Sequence, residues 1–197
     1  MQKKNLSLGI ATLLVTGYAF FQWLTGAPKW NEEVRLSDGR IIEITQKRKF
    51  YENYGTDQSW ITFSLPEMQG KQTWSGYLAP MRIDVYEGQV YVLGRPRRPK
   101  HVQYYQYPKV CIIPFVWADG DFQRIPLTKV PSALLTQENV FPCIPERKGL
   151  VTIAEKDQNW CSPTGADKKL TKAIDLKEYA RICDFYARLD GAKNRSE

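Results

Sequence analysis

Apolar and polar positions alternate along the stretch of chain that follows Lys29. Val34 and Leu36 alternate with polar neighbours, Asp38-Gly39 interrupts, and Ile42 and Ile44 resume the alternation. A period of two flanking Asp-Gly predicts a β-hairpin, because Asp-Gly accepts the positive φ that a tight type I′ turn requires. The same device recurs twice. Arg82–Tyr86 runs into Glu87-Gly88 and returns as Gln89–Val92, and Phe115–Trp117 meets Asp119-Gly120 and returns as Phe122–Ile125. Further strands are expected at Ser59–Leu65 and near Leu150–Ala154. The apolar run Val110–Trp117 reads as a strand buried on both faces, with a bulge or an edge position at Pro114, which cannot donate to a ladder.

Near the end the period changes. Asp175 and Glu178 have the spacing of a capping box, and Leu176, Tyr179, Ala180, Cys183, Tyr186 and Ala187 recur at helical spacing. One amphipathic helix closing at Gly191 is expected, with Cys183 on the stripe that lies against the sheet. The predicted fold class is therefore mainly β, an antiparallel sheet of hairpins with one C-terminal amphipathic helix.

A different pattern precedes the hairpins. Leu6–Leu24 is a run of 19 residues without a charge, flanked by Lys3, Lys4 and Lys29. As a helix it would rise roughly 28 Å, about the hydrocarbon thickness of a bilayer. Tyr18, Phe20, Phe21 and Trp23 gather at its far end, where aromatic rings favour the interface. The competing reading is a cleaved signal peptide, but its best small-residue site, Thr25-Gly26-Ala27, runs into Pro28. Thus residues 1–5 are assigned as a short tail, 6–26 as a single transmembrane anchor, 27–190 as one β-rich domain and 191–197 as a disordered tail.

Composition adjusts this picture slightly. Lys and Arg outnumber Asp and Glu by 28 to 21, for a net charge of +7. That mild excess favours anionic partners. Four cysteines, Cys111, Cys143, Cys161 and Cys183, all lie in the back half without a C-x-x-C pair. This points away from zinc or thioredoxin-like chemistry and toward two disulfides in an oxidising compartment. Sequence proximity suggests Cys161 with Cys183 and Cys111 with Cys143.

Candidate chemistry is sparse. There is no G-x-S-x-G, S-x-x-K, H-E-x-x-H, P-loop or G-x-G-x-x-G motif, so no cofactor and no metal are expected. His101 is the only histidine and lies in a proline-stiffened, polar segment, where solvent exposure is expected. The carboxylate pairs Glu32 with Glu33 and Asp119 with Asp121 lie beside turns, where acids serve backbone hydrogen bonding. The sharper signal is the basic segment of Arg95, Arg97, Arg98 and Lys100, followed by Tyr104, Tyr105 and Tyr107. Guanidinium groups bind phosphates in bidentate fashion and aromatic faces add stacking, so these residues are the candidate anion-binding site.

The opening Trp30-x-Glu32-x-Val34-x-Leu36-x-Asp38-Gly39-Arg40-x-Ile42 and the segment Trp117–Pro131, with Arg124-Ile125-Pro126-Leu127, resemble small, uncharacterised exported or membrane-attached proteins of proteobacteria. The resemblance covers under a third of the chain and implies no reaction. The sequence thus favours a non-catalytic protein of a bacterial inner membrane. Its periplasmic domain would bind a partner protein or an anionic lipid or glycan, with nucleic acid ranked below these. Two alternatives stand beside it: an envelope hydrolase using His101 or a carboxylate pair, and a cytoplasm-facing membrane protein holding nucleic acid or anionic lipid on residues 95–100.

Overall fold

The computed structural model describes residues 27–51, 55–145, 149–156 and 173–193. Over these the chain is mainly β with a C-terminal helix. Nine strands are described: β1 Lys29–Arg35, β2 Ile41–Phe50, β3 Thr56–Ser64, β4 Lys71–Gly76, β5 Ala79–Tyr86, β6 Gln89–Arg95, β7 Ile113–Ala118, β8 Asp121–Arg124 and β9 Leu150–Val151. The helices are α1 Pro99–Tyr104, α2 Ile153–Lys156 and α3 Leu176–Lys193.

The strands form two sheets, ordered β4-β3-β2-β1-β9 and β5-β6-β7-β8. Alternation sorts their faces. Val34, Leu36, Ile44, Ile61, Phe63 and Trp74 of the first sheet meet Ile83, Val85, Val90, Val92, Ile113 and Phe115 of the second in one core. On its other face the second sheet offers Met81 and Leu93 to α3, which returns Tyr179 and Cys183. The layers are therefore sheet, sheet and helix, with the four-stranded sheet covered on both sides.

All three expected hairpins are present, but their turns differ. Glu87-Gly88 and Asp119-Gly120 have positive φ at both residues and close two-residue loops between Tyr86 and Gln89 and between Ala118 and Asp121, the type I′ geometry. At Asp38-Gly39 only Gly39 is left-handed, with φ +87°, and the loop closes through Leu36 N–H donating to Arg40 C=O at 2.9 Å. Three residues form this loop because Ser37 is taken up by Asp84, whose carboxylate accepts from both Ser37 N–H and Oγ at 2.8 Å.

Several expectations are corrected. The strand at Leu150 has only two residues, pairs with β1 in parallel, and gives way to α2. The apolar run becomes a strand only from Ile113, and Pro114 sits in an inner strand opposite Leu93 without a bulge. Its missing N–H is tolerated because its carbonyl meets Ile125, just past the end of β8, where the ladder has stopped. Strand β4 was not foreseen. Helix α3 continues through Gly191, where it was expected to close, to Lys193, and residues 194–197 of the expected tail lie outside the described residues. Asp175 caps the helix through Oδ1, which accepts from Lys177 and Glu178 N–H at 2.8 and 3.2 Å.

The cysteine pairing suggested by proximity is wrong. Cys111 is bonded to Cys183, across 72 residues, because α3 lies against the segment leading into β7 and Cys111 N–H donates to Tyr179 C=O. Cys143 is also a disulfide cysteine, whereas Cys161 lies outside the described residues, as does the expected anchor at 6–26. No helix among the described residues is long and apolar enough to cross a membrane.

Candidate functional site

The basic segment does not form an open loop. Pro99 at the first helical position fixes the φ that α1 needs and gives up only an N–H that would lack a partner there. Winding residues 99–104 into a helix divides the cations between two sides. Arg95 turns toward α3, donates to the Tyr179 hydroxyl at 3.1 Å and lies 5.7 Å from that ring's centroid. Arg97 is half-buried beside Gly55, and burial, then the nearby Arg95 charge, lowers its pKa. These two serve packing.

Arg98 and Lys100 turn the other way, onto Asp57 at the start of β3. Asp57 Oδ1 lies 3.1 Å from Arg98, 2.7 Å from Lys100 and 3.2 Å from His101 Nε2. Burial works against the Asp57 charge, but hydrogen bonds from Lys100 and His101 prevail and hold its pKa down at about 2. With Asp57 ionised, His101 Nε2 is the nitrogen that donates, leaving Nδ1 buried without a partner. The expectation of an exposed His101 is overturned. The side chain is 2% exposed, and burial lowers its pKa against the opposing pull of Asp57. A neutral ring fits the interior, and a third cation beside Arg98 and Lys100 would not.

Around these charges stand three exposed tyrosines. The Arg98 guanidinium lies 3.7 Å from the Tyr51 ring centroid, with Lys100 at 5.8 Å. Tyr77 and Tyr104 meet edge to face at 5.0 Å, and Tyr104 is 63% exposed. Tyr105, expected in the same surface, is buried, and burial pushes its pKa up to about 12. Tyr107 is exposed but its hydroxyl is engaged by Asp190. The surface that emerges comprises Tyr51, Tyr77, Arg98, Lys100 and Tyr104, with two positive charges over one negative. Tyr51, Tyr77 and Asp57 were missed because only the fold brings them to α1.

Glu32 and Glu33 are not paired in space. Neighbouring residues on a strand face opposite ways. Glu32 points inward and accepts from Phe141 N–H at 3.0 Å and Gln46 at 2.7 Å, whereas Glu33 accepts from Ile153 N–H at 2.9 Å. Asp121 accepts from Phe122 N–H at its turn.

A second polar region, invisible in the sequence, grips the segment 137–142 between the sheets. Arg48 is fully buried and donates to the carbonyls of Phe141 at 2.6 Å and Pro142 at 2.7 Å. Burial brings its pKa down to about 10, against the attraction of Glu32. From the other side Arg82 bonds Asp84, Ser37 and the Gln137 carbonyl. The β5 bulge at Met81 frees a carbonyl that accepts from Asn139 and Val140 N–H. A cavity of about 330 Å³ opens beside this segment, lined by Arg35, Ser37, Arg82, Glu138 and Lys156 among others. Its buried cations are paired, Arg82 with Asp84 and Lys156 with Glu32, so it reads as part of the clamp. Among the described residues no group of three His, Cys, Asp or Glu side chains converges to hold a metal ion. No family model, curated protein or solved structure matches this chain.

Proposed function

We propose that this chain is a non-catalytic binding protein of a bacterial envelope, held in the inner membrane by residues 6–26. Its β domain faces the oxidising periplasm and contacts a partner protein or an anionic envelope component. The observation that carries the reading is the tyrosine and cation surface around Asp57. Arg98 and Lys100 leave a net positive charge there, and Tyr51, Tyr77 and Tyr104 expose ring faces beside it. Cations beside aromatic rings suit phosphate and sugar groups. The Cys111–Cys183 bond supports an oxidising compartment. The buried His101, with Nε2 turned to Asp57, speaks against a hydrolase that uses it as general base.

Two measurements test the proposal. In intact cells a membrane-impermeant thiol reagent should label the protein only after reduction and outer-membrane permeabilisation; free thiols reached only after inner-membrane rupture would overturn the compartment. The full chain in detergent should be retained on immobilised heparin, a model polyanion, in a salt-sensitive manner. Retention should fall when Lys100 and Tyr104 are both replaced by Ala and persist in Lys71→Ala. Equal retention of all three forms would remove the surface from consideration.

A further inference from the structure

The two ends of the sheets differ in charge. The four turns at one end, residues 36–40, 65–70, 87–88 and 119–120, carry the acids Asp38, Glu67, Glu87 and Asp119 and a single cation, Arg40. Arg40 is already committed to Asp38 at 2.6 Å and Glu67 at 2.7 Å. At the opposite end the connection from β6 to β7, residues 96–112, carries Arg97, Arg98, Lys100 and Lys109 and no acid. Exposed Lys47 and Lys49 near the end of β2 add to the same side.

The chain enters the domain at this positive end. Strand β1 starts at Lys29, and Pro28 C=O accepts from Arg48 N–H at 3.1 Å. Three residues beyond Arg48, Tyr51 lies under Arg98. Because β2 runs antiparallel to β1, Tyr51 extends past the first residue of β1, toward the stretch that leads back to Leu6–Leu24. The exposed tyrosines and the net positive charge of Arg98 and Lys100 over Asp57 thus share one end with the apolar segment's point of attachment.

We infer that this end of the domain rests on the anionic headgroup layer of the bilayer that residues 6–26 enter, with the four acidic turns directed away from it. The inference rests on the membrane-anchored reading and deepens it by naming the occupant of the Tyr51, Tyr77, Arg98, Lys100 and Tyr104 surface. Tyrosine rings sit well at headgroup level, with an apolar body and a hydroxyl that stays wet. Basic side chains near an anionic leaflet are attracted within a Debye length, and the acidic turns are repelled, so both ends favour the same orientation.

The test uses the full chain in vesicles of phosphatidylcholine alone or with added phosphatidylglycerol, pulse-labelled with a membrane-impermeant amine reagent and read by mass spectrometry. Lys100 should label several-fold more slowly in the anionic vesicles, and high salt should restore its rate. Lys71, at the start of β4 and the opposite end of the sheet, should label equally in both. An unchanged Lys100 rate in protein that resists alkaline carbonate extraction would overturn the docking while leaving the anchor intact. Release by carbonate would overturn the anchored reading and the docking with it. Slowing by soluble glycerol phosphate in neutral vesicles would assign the surface to a free anion instead, and so would also overturn it.

Discussion

The Lys156 ammonium lies 3.2 Å from the Glu32 carboxylate, and the two side chains are 3% and 0% exposed. The pair joins β1 to α2, and Lys156 also donates to the Asn139 carbonyl at 3.0 Å. Glu32 in turn bonds Phe141 N–H and Gln46, so one ion pair fixes the segment between the sheets. Desolvation offsets much of a buried pair's attraction, yet removing one partner strands the other. Lys156→Met and Glu32→Gln should each cost about 3–5 kcal/mol. In a double-mutant cycle the double variant should lose clearly less than the sum. Additive losses in urea titrations would show that the two charges are not coupled.

What could be read from the sequence was local. Glu87-Gly88 and Asp119-Gly120 announce their hairpins because turn type is set by the residues in the turn, and Asp175 announces α3 because a cap reaches only to the next residues. Strand β4 escaped notice because Trp74 is its only buried residue, too little alternation to register. The surface around α1 was half legible. Its cations are adjacent in sequence, but their sorting depends on Asp57, 44 residues from His101. The Cys111 pairing and the Glu32 contact to Phe141, 109 residues away, are products of sheet order, which no local pattern encodes.

Gly94 permits close packing of β6 on the turn before β5. A Cβ added there would lie 2.9 Å from Leu78 Cβ and 3.4 Å from the Ala79 carbonyl. Neither is the free end of a flexible side chain, so the backbone must shift. Gly94→Ala should lower stability by about 1–3 kcal/mol, as overpacking does. The urea midpoint should fall with its slope unchanged. A midpoint equal to that of the parent chain would show that β5 and β6 can separate freely.

Acid should weaken the domain in two stages. His101 has its folded pKa lowered by burial, so as pH falls below the unfolded value of about 6.5 the unfolded chain takes up the proton first. Stability is fully present above that value and is lost toward the folded pKa. Asp57 follows at lower pH. Its folded pKa of about 2 lies below the unfolded value of about 3.9, so its contribution is lost between the two. His101→Gln should flatten the stability profile as pH falls below about 6.5 and, by changing one of the hydrogen bonds that hold Asp57 ionised, should also shift the lower limb. Parent stability that rises on acidification through this range would contradict the assignment.

Cys111–Cys183 is the covalent link between the second sheet and α3. Tyr179 packs on the same face and its hydroxyl donates to the buried Glu138 at 2.7 Å, while burial holds that hydroxyl protonated by raising its pKa. The helix therefore docks through one covalent bond, hydrogen bonds that link Tyr179 to Glu138, Arg95 and Cys111, and a stripe of apolar contacts. Closing a loop across 72 residues restricts the unfolded chain by about 4 kcal/mol on the chain-entropy account. Replacing both cysteines with Ala should remove most of that and leave the rest of the fold in place, because the core between the two sheets contains neither residue. Hydrogen exchange should then show faster opening of α3 and α1, which pack together, with β2 and β3 still protected. Uniform loss of protection across both sheets would mean that the helix layer and the sandwich unfold as one unit.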